Sequence, residues 1–210
     1  TRAHMDPPER PGPNGVLPAL DPSLFKEHAS GVICLSGCRH GEISELVIAG
    51  RLGEARRLAA QYRDWFGADN FFLELQQNLV LDDTERNRLM AGIGSDLGIP
   101  IVATNNAHYH LRERSHLNDV LVAIQHNKSL EETHQERRPN SHFYLKSHAQ
   151  MTALFREIPE AIQNTLVVAE RCASFDLTRD LNYKFPDYPA PDDHTPLSYL
   201  EKLCHEAALR

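Results

Sequence analysis

Three short apolar runs interrupt longer stretches of helical periodicity. Gly31-Val32-Ile33-Cys34-Leu35-Ser36, Asn70-Phe71-Phe72-Leu73-Glu74-Leu75-Gln76 and Ile99-Pro100-Ile101-Val102-Ala103-Thr104-Asn105 are apolar through their centres and closed by small or polar residues. Such runs fit buried parallel strands better than half-exposed ones. Between them, Glu42 to Ala49, Leu52 to Trp65 (apolar at Leu52, Ala55, Leu58, Ala59 and Tyr62) and Asp82 to Leu97 carry the helical period. Asp83-Thr84 predicts a cap for the last of these. Upstream, Asp21 as N-cap and Pro22 at the first helical position predict a short helix through Leu24, Phe25 and His28, ended by Gly31. Strand, helix, helix, strand, helix, strand predicts an α/β fold with a parallel sheet.

Beyond Arg112 the pattern turns helical. Leu117 to His126 places Leu117, Val120, Leu121 and Ile124 on one face, Ser147 to Phe155 carries Met151, Leu154 and Phe155, and Pro159 opens a helix to about Cys172. Phe185 to Asp193 is a proline-rich linker that cannot sustain a helix, and Thr195-Pro196 starts another. Residues 1–20, rich in proline, read as a loop or insertion. A start of this kind, and a last helix with no partner in the sequence, predict a chain cut from a longer one. The expected divisions are 1–20 loop, 21–126 the α/β domain, 127–184 a helical connection, and 185–210 linker and helix.

Composition is that of an ordinary globular domain, with 41% hydrophobic and 24% charged residues. A net charge of −7 opposes a general nucleic-acid-binding surface, which depends on Lys and Arg neutralising phosphates. Arg51, Arg56, Arg57, Arg112, Arg114, Arg137 and Arg138 could touch nucleic acid, but no basic stripe interleaved with aromatics accompanies them. Cys34, Cys38, Cys172 and Cys204 form no CxxC pair, so free thiols are expected. No apolar run approaches the ~20 residues of a membrane span and no signal peptide is visible, so a cytoplasmic protein is expected, with no membrane partner.

In parallel α/β folds, functional groups gather at the carboxyl ends of strands. Ser36-Gly37-Cys38, Glu74-Leu75-Gln76 and Asn105-Asn106-Ala107-His108 occupy those ends. The segments Leu35 to Glu42, Phe71 to Gln76 and Val102-Ala103-Thr104-Asn105-Asn106-Ala107-His108-Tyr109 resemble the C-terminal part of the PHP domain of bacterial C-family DNA polymerases, the DNA polymerase III alpha type. Phe143 to Lys146, Pro159 to Thr165 and Ala169 to Cys172 are similar to the segment joining that domain to the polymerase palm. Asn105 to His110, Arg138-Pro139-Asn140 and Leu181 to Tyr188 look most like the error-prone, damage-tolerant branch; the replicative subunit usually shows Asp where this chain has Asn106.

The resemblance implies a partial PHP-type distorted β/α barrel followed by an α-helical extension. It also implies a metal site of His, Asp and Glu residues with Cys38 and an Asp-x-His pair at positions 106 and 108. Its chemistry is metal-assisted phosphoester hydrolysis, in which bound cations acidify water and stabilise developing charge. Here Asn106 replaces the carboxylate, and a neutral amide oxygen neutralises no cation charge. Cys38 and His108 alone cannot hold a multi-metal centre, so the site reads as vestigial. The plain alternatives are a buried small cysteine at Cys38, a hydrogen-bonded histidine at His108, and a carboxylate satisfied by nearby backbone at Glu74. His108 and His110 could share a face only on extended backbone, and His40 and His116 are assigned no role. The implied parent is a DNA-directed DNA polymerase using Mg2+, DNA and dNTPs, with accessory polymerase proteins as further partners and its catalytic residues outside this segment. For the segment itself, scaffolding is expected. The alternatives are an active metal phosphoesterase (a 3′–5′ exonuclease or pyrophosphatase) and a protein-interaction module.

Overall fold

The computed structural model describes residues 21–176, 178–181, 189–191 and 193–208. The loop expected over 1–20, most of the proline-rich linker and most of Leu181 to Tyr188 lie outside the described residues. The chain divides into two units, Thr1–Arg171 and Cys172–Arg210.

In the first unit, α1 (Ser23–His28) precedes β1 (Cys34–Leu35), α2 (Glu42–Ile48), α3 (Leu52–Phe66), β2 (Phe71–Gln76), α4 (Asp83–Leu97) and β3 (Ile101–Thr104). The strands form a parallel sheet in the order β1-β2-β3, with Cys34 opposite Phe71 and Leu73 opposite Ile101. The α/β order read from the apolar runs is present. β1 is shorter and less buried than its apolar run suggests: both its residues are half-buried and Val32 is exposed, because β1 is the edge strand of the described sheet.

β2 alternates in what it faces. Phe71, Leu73 and Leu75 join Ile101, Ala103, Met90, Ile93, Ala55 and Ala59 in one buried cluster. Phe72 and Val102 are also buried but belong to the opposite face. Tyr62 stacks on Phe71 with ring centroids 5.6 Å apart, fixing α3 against the sheet. Gly94 lets α4 approach closely, since a Cβ there would stand 2.8 Å from the Ile99 carbonyl oxygen.

Helix ends show how local chemistry sets the boundaries. The expected N-cap at Asp21 is shifted by one residue: Pro22 holds the cap position and α1 starts at Ser23, while Asp21 Oδ1 accepts the Ser23 N–H at 2.9 Å from outside the cap. Gly98 ends α4 in the left-handed region at φ 64°. The expected cap at Asp83-Thr84 is a correction: Asp82 occupies the cap position in a left-handed conformation and makes no side-chain cap bond. The Asp83 carboxylate instead turns back to hold the preceding loop.

The first unit continues through a 3-10 turn (Arg112–Arg114), α5 (Ser115–His126), α6 (His148–Leu154) and α7 (Pro159–Cys172), which reaches the unit boundary. Ser147 and Gln150 form a reciprocal capping box at α6. The apolar face expected of α5 is left bare, with Leu117, Leu121 and Ile124 exposed and only Ala123 buried. In the second unit α8 (Pro196–Ala208) begins where Thr195-Pro196 predicts. Among the described residues, no helix is long and apolar enough to cross a membrane.

Candidate functional site

The carboxyl ends of the strands carry polar side chains into a shared rim. On β2, Glu74 lies on the face away from the helices, and its Oε1 accepts from Gln76 Nε2 at 2.8 Å and from the Thr104 hydroxyl. Ser36 Oγ accepts the Glu74 backbone N–H at 2.8 Å. The Glu74 carboxylate is thus satisfied by side chains of its own and the neighbouring strand, where sequence reasoning expected backbone groups.

Past the end of β2 the chain turns around Asp83. Its Oδ2 accepts the N–H groups of Asn78 and Val80 at 2.9 and 3.1 Å. Its Oδ1 faces Arg86 Nη1 at 3.0 Å, an ion pair outside hydrogen-bond geometry, and Arg39 Nη1 at 3.4 Å. Asp83 and Arg86 are each 3% exposed, so the pair is desolvated. Burial pulls the Arg86 guanidinium below its ordinary pKa, with Asp83 pulling the other way. Arg86 Nη2 and Asn87 Nδ2 both donate to the Gln76 carbonyl, closing the last turn of the strand onto α4.

The third wall comes from residues 135–146. Asn140 Nδ2 donates to the Asn78 and Leu79 carbonyls, and Asn78 Nδ2 donates to the His142 carbonyl at 3.2 Å. Tyr109 bridges to Tyr144 in parallel, with His108 N donating to the Phe143 carbonyl at 2.7 Å, so the segment at His108 is locally extended. Lys146 Nζ donates to Asn105 Oδ1 at 3.1 Å and to the His142 carbonyl, and burial lowers its pKa.

These walls enclose a cleft of about 290 Å³. Asn106 lines it, as do Arg39, Arg86, Arg137 and Arg138, with Asp83 and Glu136 as its carboxylates. His40, given no role from sequence, also lines it, although its side chain is mostly exposed and faces Glu45. Cys38 is half-buried at the start of the rim, immediately before Arg39. His108 is exposed as a residue, with its ring edge-on to the Phe143 ring at 5.9 Å, and partial desolvation of the ring, followed by the charge of Arg138, lowers its pKa. Arg138 stands 5.4 Å from the centroid of the same ring.

The donors among the described residues do not by themselves fit a metal centre. Among the described residues, no three of His, Cys, Asp and Glu gather to hold an ion. Asp83 is fully engaged by two arginines and two backbone N–H groups, and Arg138 places a cation beside His108. A divalent ion at His108 would be repelled by that guanidinium. Sequence reasoning found Asn106, Cys38 and His108 at the strand ends but missed Arg39 and Arg86. Arg86, three residues after Asp83 on a helix, reads as a solvent-facing partner; only the loop folding over it shows that it is buried.

The sequence pattern of the PHP domain matches residues 1–78. The chain is 38% identical over 201 residues to an error-prone DNA polymerase of Symbiobacterium thermophilum, covering 95% of this chain and 18% of the relative. It is 37% identical over 155 residues to DNA polymerase III subunit alpha of Treponema pallidum, covering 74% of this chain and 13% of the relative. With the DNA polymerase III subunit alpha of Thermus aquaticus the identity is 31% over 197 residues, covering 92% and 16%. The chain therefore spans less than a fifth of the length of these relatives.

Proposed function

We propose, from the premise that the chain belongs to the PHP region of the C-family DNA polymerases, that it is the scaffold portion of an error-prone, DNA-directed DNA polymerase. The parent extends primers on DNA with dNTPs by metal-dependent nucleotidyl transfer in the cytoplasm, in replication and damage-tolerant synthesis, through residues outside this segment. Within the parent, residues 21–126 form the carboxyl part of a PHP barrel, 127–184 lead towards the palm, and 185–210 begin the polymerase body. Cys38 and His108 are remnants of the PHP metal site, and Asn106 stands in the place of its carboxylate.

The observation that carries the scaffold reading is the rim itself. Where a PHP hydrolase needs clustered anionic and imidazole ligands, this rim is fastened by Asp83–Arg86 and crowded by guanidinium groups. The bare apolar face of α5 at Leu117, Leu121 and Ile124 supports a packing role, because exposed apolar stripes mark surfaces that another body covers.

The test uses the full-length polymerase on a primer with a mismatched 3′ end. The scaffold reading expects extension of a matched primer and no metal-dependent excision attributable to this region, with Cys38→Ala and His108→Ala leaving extension unchanged. Excision that depends on added divalent metal and disappears in those variants would overturn it. Accessory polymerase proteins remain proposed partners of the parent.

A further inference from the structure

We propose that the uncovered face of α5 seats an uncharged apolar helix that the parent polypeptide supplies from outside these residues. This rests on the reading of the segment as a packed part of the polymerase and names what α5 packs on.

Leu117, Val120, Leu121 and Ile124 stand at the i, i+3, i+4, i+7 spacing of one helical face. Leu117, Leu121 and Ile124 are 50%, 57% and 69% exposed, while Ala123, the one buried residue of the helix, lies off that stripe. Among the described elements, the one that α5 packs on substantially is the 3-10 turn leading into it. By contrast, α2, α3 and α4 close on one another, and α3 and α4 also on β2. A helix of 12 residues is marginal in water by itself and draws its stability from covering an apolar face. For α5 that cover has to come from a body other than the described elements.

The chemistry of the face selects the occupant. The stripe is aliphatic throughout. Asp119 is the one Asp, Glu, Lys or Arg of the helix, and it is turned to Arg137 at 3.4 Å, so α5 offers no unengaged carboxylate or basic side chain to a charged partner. Depletion of charge marks the cores of permanent interfaces rather than of passing encounters. The spacing of the four side chains forms ridges into which a second helix packs, with its axis about 8–10 Å away. The match to the Symbiobacterium thermophilum relative takes in 95% of this chain and only 18% of that polymerase, so most of such a polypeptide lies outside the matched region. A helix tethered in the same polypeptide reaches the stripe at a raised effective concentration, which a second copy or a separate protein lacks.

The test compares the full-length polymerase with the 210-residue chain by amide hydrogen exchange, which needs no substitution. Exchange across residues 115–126 is expected to be at least about tenfold slower in the full-length protein, since covering one leucine side chain slows local opening by that factor or more. Leu121→Cys, labelled with a soluble maleimide and read by peptide mass, is expected to react at least about tenfold more slowly in the full-length protein, by the same burial. A benzophenone photoprobe placed at Ile124 is expected to cross-link, within one molecule, to an apolar helix outside residues 1–210. Unaltered extension of a matched primer shows that both variants fold. Equal exchange in the two proteins, protection that grows with protein concentration and cross-links between molecules, or protection that appears only with an added accessory protein would each overturn the proposal. Metal-dependent excision overturns the scaffold reading whatever α5 shows, and an uncovered α5 without excision overturns this contact alone, so the two failures are distinguishable.

Discussion

The two faces of β2 are made by the same six residues and obey different rules. Phe71, Leu73 and Leu75 meet α3 and α4 in a dry cluster, where stability scales with apolar area and fit. Glu74 and Gln76, one residue out of phase, open onto a rim held by hydrogen bonds and a desolvated ion pair. The apolar face accepts apolar side chains of closely matched volume. The rim does not, because each member satisfies a charge or lone pair that another would leave bare.

Removing one partner of the buried pair should have the largest effect. Asp83→Ala leaves Arg86 charged and buried and frees the Asn78 and Val80 N–H groups, and should cost about 4 kcal/mol in urea unfolding. A cost under about 1 kcal/mol, the value of an exposed pair, would erase the distinction between rim and surface. On the apolar side, Gly94→Ala forces α4 away from the Ile99 carbonyl and Ile101, and should cost about 2 kcal/mol by the same measurement.

The smallest effect is one of pH and lies where α3 meets the sheet. Burial, followed by the bond to Glu42 Oε2 at 2.8 Å, raises the Tyr62 phenol from 10.0 to about 12. The stability linked to this group is complete below pH 10 and lost as pH rises through about 12. Tyr62→Phe should flatten the decline of stability across that window, and phenolate absorbance should show one tyrosine fewer ionising at its upper end. An unchanged slope would mean that Tyr62 ionises as it does in the unfolded chain.

Much of the apolar face was legible in the sequence, and much of the rim was not. The runs at Phe71–Gln76 and Ile101–Thr104 and the periods of α2, α3 and α4 announce themselves because burial of an apolar residue leaves a mark at its own position. Asp83 misled because an acidic residue before a helix usually caps it, whereas here the loop from Asn78 to Val80 competes for the same oxygens and wins. Arg86 was invisible because the groups that bury it come from outside its helix. The Ser147–Gln150 capping box was readable as Ser-x-x-Gln. That Cys38, Asn106 and His108 follow the ends of β1 and β3 was legible along the chain, but the guanidinium of Arg138 beside His108 required the fold.

The proposal most open to test is that the described residues of this rim do not hold a catalytic metal centre. The direct measurement is the divalent metal retained per molecule by dialysed full-length polymerase, determined by plasma mass spectrometry for the unaltered protein and for the Cys38→Ala, His108→Ala double variant. The account predicts the same metal content in both. A stoichiometric ion present in the unaltered protein and lost in the double variant would contradict it.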